Sequence, residues 1–60
     1  MRLEYFPDTD TIYIDINETT SVDSKEISNG IVLDFDASGQ LNGIEIDNAR
    51  NVANLSKFET

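Results

Sequence analysis

The stretch Asp34-Phe35-Asp36-Ala37-Ser38-Gly39-Gln40-Leu41-Asn42-Gly43-Ile44-Glu45 carries the spacing of an EF-hand calcium loop. Oxygen-bearing side chains stand at loop positions one, three, five and nine, with Gly at six and Glu at twelve. Ca²⁺ takes about six to eight hard oxygen ligands, and Gly permits the sharp turn between them. Asp34, Asp36, Ser38 and Glu45 are therefore candidate ligands for a divalent cation. The flanks oppose this chemistry. A calcium loop of this kind joins two helices, whereas Gly30-Ile31-Val32-Leu33 leads in as a β-branched run. The same letters also write a hairpin: Asp and Ser for the turn, Gly for a positive φ.

Other chemistry is excluded more firmly. The chain has no His and no Cys, which removes the commonest general base, thiol nucleophiles and Cys/His zinc sites. Ser21, Ser24, Ser28, Ser38 and Ser56 lack a nucleophile-elbow pattern. Carboxylate pairs abound, but a chain of 60 residues leaves little room for a substrate cleft. Gly30, Gly39 and Gly43 form no phosphate loop. The expectation is a protein that is not an enzyme and needs no cofactor.

Twelve acidic residues face four basic ones, for a formal net charge of −8. Nucleic-acid backbones and anionic membranes repel such a surface, and Arg2, Lys25, Arg50 and Lys57 are too scattered to form a basic stripe. A basic protein partner fits, because complementary charge speeds encounter. No apolar run approaches a membrane span, and Met1-Arg2-Leu3-Glu4-Tyr5 does not read as a signal peptide. A cytoplasmic location is the expectation. Residues 1–60 read as one small domain, short of core and without disulfides. Self-association is a natural way for such a chain to bury more surface.

Apolar residues alternate with period two through most of the chain. Leu3 and Tyr5 begin a strand, and Pro7-Asp8-Thr9-Asp10 turns it. Ile12, Ile14 and Ile16 point one way while Tyr13 and Asp15 point the other. Asn17 to Ser21 is a loop, and Val22 to Ile27 is a weaker strand. Asn29-Gly30 suits a type I′ hairpin turn. Ile31 to Asp36 and Leu41 to Ile46 complete the sheet. A four-residue loop, Ala37 to Gln40, pairs Asp36 with Leu41, Leu33 with Ile44 and Ile31 with Ile46; a one-residue slip would exchange the faces. After Asp47, the spacing of Ala49, Val52, Ala53 and Ser56 predicts about two turns of helix, capped by Asp47 or Asn48 and flanked by Leu55. The fold class read from this pattern is α+β: an antiparallel β-meander of four to five strands, with one short C-terminal helix packed on the face of Ile12, Ile14, Leu33, Ile44 and Ile46.

Asp15, Asp34, Asp36 and Glu45 fall on the opposite face. If Asn29-Gly30 is the whole loop, Ile27 sits opposite Val32 and Lys25 opposite Asp34; a three-residue loop turns Ile27 into the core instead. The first register groups Tyr13, Ile27 and Val32 inside an acidic rim, the anatomy of a protein contact. Tyr13, Ile27, Val32, Asp34 and Asp36 are the candidate contact residues, for a second copy or a basic protein.

Tyr5, Asp10, Tyr13 and Ile14, the run Gly30 to Asp36, Gly39, Leu41, and Gly43-Ile44-Glu45-Ile46 with Ala49 together resemble the Domain of Unknown Function 2283 family of small prokaryotic proteins. Phe6 departs from the polar residue expected at its position. The family that the chain resembles has no established enzymatic activity. The resemblance implies, for some members, an antitoxin-like role beside toxin-like neighbours.

Overall fold

The computed structural model describes residues 1–52. The strands are β1 (Arg2–Phe6), β2 (Thr11–Asp15), β3 (Asp23–Ser28), β4 (Ile31–Phe35) and β5 (Leu41–Ile46), followed by a single helical turn, α1 (Ala49–Val52). They form one five-stranded antiparallel sheet of order β1-β2-β5-β4-β3. The described chain is thus mostly β rather than α+β. The helix expected through Ala53, Leu55 and Ser56 lies outside the described residues.

The sheet is also not a simple meander. β5 returns to lie between β2 and β4, which gives a Greek-key order. Composition explains the swap. β3 carries Asp23, Lys25 and Glu26 and is exposed throughout, as suits an edge. β5 offers Ile44 and Ile46, which meet Ile14 and Ile12 on one side and Leu33 and Ile31 on the other. That row is the apolar face, where Ile12 is only 7% exposed. Ala49, at the start of α1, is fully buried.

Two bulges correct the expected register. Ser28 pairs with Ile31, but Glu26 rather than Ile27 pairs with Val32, so Ile27 is an extra residue. Beyond it Ser24, not Lys25, meets Asp34. In the β4–β5 hairpin, Asp34 pairs with Gly43 as expected, then Phe35 pairs with Leu41 and Asn42 is extra. The loop is one residue shorter than expected. Asp36 and Gln40 close it through a 2.9 Å backbone bond, with Gly39 at φ 86°. Gly30 sits at φ 84°, while Asn29 has no positive φ, so that turn is not type I′.

Neither the Asp47 nor the Asn48 side chain caps α1; Asn48 accepts the Asn51 amide through its backbone carbonyl, at 2.9 Å. Asp47 accepts from the Thr11 hydroxyl at 3.0 Å, and Asn48 adopts φ 53°. Asp10 takes over from a distance: its carbonyl accepts the Ala49 amide at 2.9 Å and its carboxylate the Arg50 amide at 3.4 Å.

Candidate functional site

The register sorts the acidic residues. Direct pairing places Glu4, Tyr13, Glu45, Val32 and Glu26 in one row across the sheet, and Arg2, Asp15, Gly43, Asp34 and Ser24 in the next. Paired residues share a face, so this face carries five carboxylates and one cation. Three of the candidate contact residues, Tyr13, Val32 and Asp34, come together here.

Tyr13 lies down along this face. Its hydroxyl donates to Asp34 Oδ2 at 3.0 Å, although β5 runs between their strands. Gly43 makes the path possible: a Cβ there would stand 2.9 Å from Tyr13 Cζ and 3.3 Å from Asp34 Oδ2. The aromatic ring covers the bare glycine backbone, a device that offsets the weakness of Gly in a strand. Ser24 Oγ donates to the other carboxylate oxygen of Asp34 at 2.7 Å. One carboxylate therefore links β2, β4 and β3. Burial raises the Tyr13 pKa above the usual phenol value, and the hydrogen bond and charge of Asp34 add to it.

Glu45 sits between Tyr13 and Val32 in its row. Its pKa is raised by burial first, then by the charges of Asp47 and Asp34.

Asp36 does not join that face as a free acid. It is only 8% exposed, and its Oδ1 accepts from Ser38 Oγ at 2.6 Å, the Ser38 amide at 2.9 Å and the Gln40 amide at 3.0 Å. Thr19 Oγ1 donates to its Oδ2 at 3.2 Å. The Ser38 hydroxyl and the Gln40 amide hold its pKa below the usual carboxylate range, against the opposing effect of burial.

Next to it stands Asn42, 2% exposed; the apolar alternation changes phase across it, but nothing in that pattern shows the hydrogen bonds its side chain makes. Its Nδ2 donates to the Thr19 carbonyl at 3.0 Å and to Thr19 Oγ1 at 3.1 Å, and its Oδ1 accepts from Ser21 at 3.0 Å. Asn42 and Asp36 fasten the polar crossing from β2 to β3 over the hairpin tip. Ile27 lies apart on the β3 edge, 55% exposed.

The four candidate cation ligands are parcelled out. Asp34 answers Tyr13 and Ser24, Asp36 and Ser38 close the turn, and Glu45 stands on the ladder opposite Val32. Among the described residues no three His, Cys, Asp or Glu side chains group so as to hold a metal ion. Strand geometry is the reason: the loop spacing gathers ligands only when helices flank it. Lys25, displaced by the bulge, pairs with Leu33 instead of Asp34. Among the described residues no helix is long and apolar enough to cross a membrane.

Fold and site together define a small antiparallel-sheet domain with an acidic face, a tyrosine–aspartate clasp and a polar crossing. The chain belongs to the DUF2283 family, described as proteins of unknown function, whose model matches residues 2–50 and so spans all five strands. No curated protein and no solved structure matches it.

Proposed function

We propose that the chain is a non-catalytic protein-interaction domain that self-associates through the outer edge of β1. The exposed apolar residues on that edge carry the proposal. Met1, Leu3, Tyr5 and Phe6 are 95%, 64%, 37% and 42% exposed. They lie on or beside a strand that pairs only with β2 among the described residues. An exposed, apolar strand edge is a template for another strand, because its outward N–H and C=O groups seek partners. Adding a strand there extends the apolar face beside Ile12 and Ile14. A chain this small gains much from such added burial.

Light scattering coupled to size exclusion, run over a concentration series, tests this. A dimer mass that falls toward the 6.7 kDa chain mass on dilution supports it, and a monomer throughout contradicts it.

The acidic face supports a second contact, to a basic protein, with Tyr13, Val32 and Asp34 at its centre. Its register-fixed row of carboxylates favours that partner chemistry. The antitoxin-like role implied by the family resemblance would use this face. Binding to such a partner should weaken with salt and with Asp34→Asn.

A further inference from the structure

The two edges of the sheet differ. On β3 the bulge at Ile27 interrupts the ladder, and Asp23, Lys25 and Glu26 line the strand. Bulges and charges blunt an edge against pairing. β1 runs in unbroken register with β2 from Arg2 to Phe6, without bulge or proline, and is exposed throughout. Joining β1 to β3 of another copy would be head-to-tail and would grow open-ended. Joining β1 to β1 closes as a dimer.

A two-fold axis normal to the sheet keeps each face continuous, so residues of the same face must meet. The sequence Met1-Arg2-Leu3-Glu4-Tyr5-Phe6-Pro7 then decides the register. An axis through Arg2 sets arginine opposite arginine, and one through Glu4 sets glutamate opposite glutamate; like charges directly opposite repel. An axis through Tyr5 or Phe6 brings Pro7, which has no N–H, against the other strand. An axis through Leu3 sets Arg2 opposite Glu4 of the second copy, and the reverse. It also sets Leu3 against Leu3, and Met1 against Tyr5.

Building on the self-association proposed above, we infer that two copies pair β1 to β1, antiparallel, about an axis through Leu3. The product is a ten-stranded sheet with both acidic faces on one side. The Arg2–Asp15 contact within each chain, at 3.9 Å with Arg2 largely exposed, leaves the guanidinium free to reach across.

The test uses the full chain, which has no cysteine of its own. Directly opposed residues in an antiparallel pair lie about 4.5–5.5 Å apart at Cα, within the roughly 4.4–6.8 Å that a disulfide spans. Leu3→Cys should therefore give a covalent dimer under mild oxidation, whereas Glu4→Cys and Ile27→Cys should not. Arg2→Glu should raise the dimer dissociation constant about tenfold or more, and the swap Arg2→Glu with Glu4→Arg should restore it. The charge swap leaves Leu3 intact, so it decides the register even if Leu3→Cys fails to fold. A dimer that cross-links through Glu4→Cys or Ile27→Cys but not Leu3→Cys, or that the swap fails to restore, overturns the register and leaves self-association standing. A wild-type chain that is monomeric at every concentration overturns both.

Discussion

The Tyr13 hydroxyl reaches the Asp34 carboxylate at 3.0 Å by crossing the side-chain-free backbone of Gly43. Three residues on three strands thus form one unit. Gly43→Ala should lift the ring and break the bond, at a cost of about 1–2 kcal/mol. In a Tyr13→Ala background the same change should become neutral or stabilising, because Ala suits a strand better than Gly. Denaturant unfolding of the four proteins of this double-mutant cycle measures the difference.

Asp34 also tunes the phenol. Asp34→Asn removes the charge that opposes ionisation, so the Tyr13 titration midpoint should fall toward the ordinary phenol value. Ultraviolet absorbance against pH, with Tyr13→Phe as the blank, reads that midpoint directly.

Asn42→Ala should be among the most damaging single changes. It removes three hydrogen bonds to Thr19 and Ser21 and leaves a gap at a side chain that is only 2% exposed. Such losses cost about 1–3 kcal/mol, or roughly 4–8 °C of melting temperature per kcal/mol at this size. Thermal melts give the magnitude, and hydrogen exchange should show the crossing from β2 to β3 opening first.

The pH dependence has two opposing sources. The Asp36 pKa is lowered on folding, so its contribution is present above the unfolded carboxylate range and is lost as pH falls through the folded value. The Glu45 pKa is raised, so its contribution is present below the unfolded value and is lost as pH rises through the folded one. Asp36→Asn should flatten the acid limb of a stability–pH curve. Glu45→Gln should raise stability at pH 7 by about 0.5 kcal/mol, roughly 2–4 °C, by removing a charge that burial first, and then the charges of Asp47 and Asp34, disfavour.

Ca²⁺ should leave the melting temperature no higher than the same concentration of Mg²⁺ does. General screening of an acidic chain acts alike for both ions, whereas a specific site would stabilise by linkage. A Ca²⁺-specific rise would revive Asp34, Asp36, Ser38 and Glu45 as ligands.

Much of the sheet was legible in the residues. The pairing of Leu33 with Ile44 and Ile31 with Ile46 follows from alternation alone, because a slip would bury Glu45. The bulge at Asn42 had a signal as well: apolar residues fall at Leu41, then at Ile44 and Ile46, and that change of phase marks an extra residue. Ile27 breaks phase with Val22 in the same way. The placement of β5 beside β2 was not legible, since it depends on comparing a charged β3 with an apolar β5 for one central position. Asp36 reads in the sequence both as a turn residue and as an acid of the outer face, because a turn-closing carboxylate and an exposed one look alike there. The Tyr13–Asp34 bond needed the diagonal reach over Gly43, which one-dimensional spacing does not show.

Amide hydrogen exchange, read residue by residue at a low and a high protein concentration, tests the β1 edge most directly. The outward amides of β1 should gain protection as concentration rises, while those of the bulged β3 edge should exchange equally fast at both. Equal exchange of the β1 amides at both concentrations, or protection gained at β3 instead, would contradict a contact built on β1.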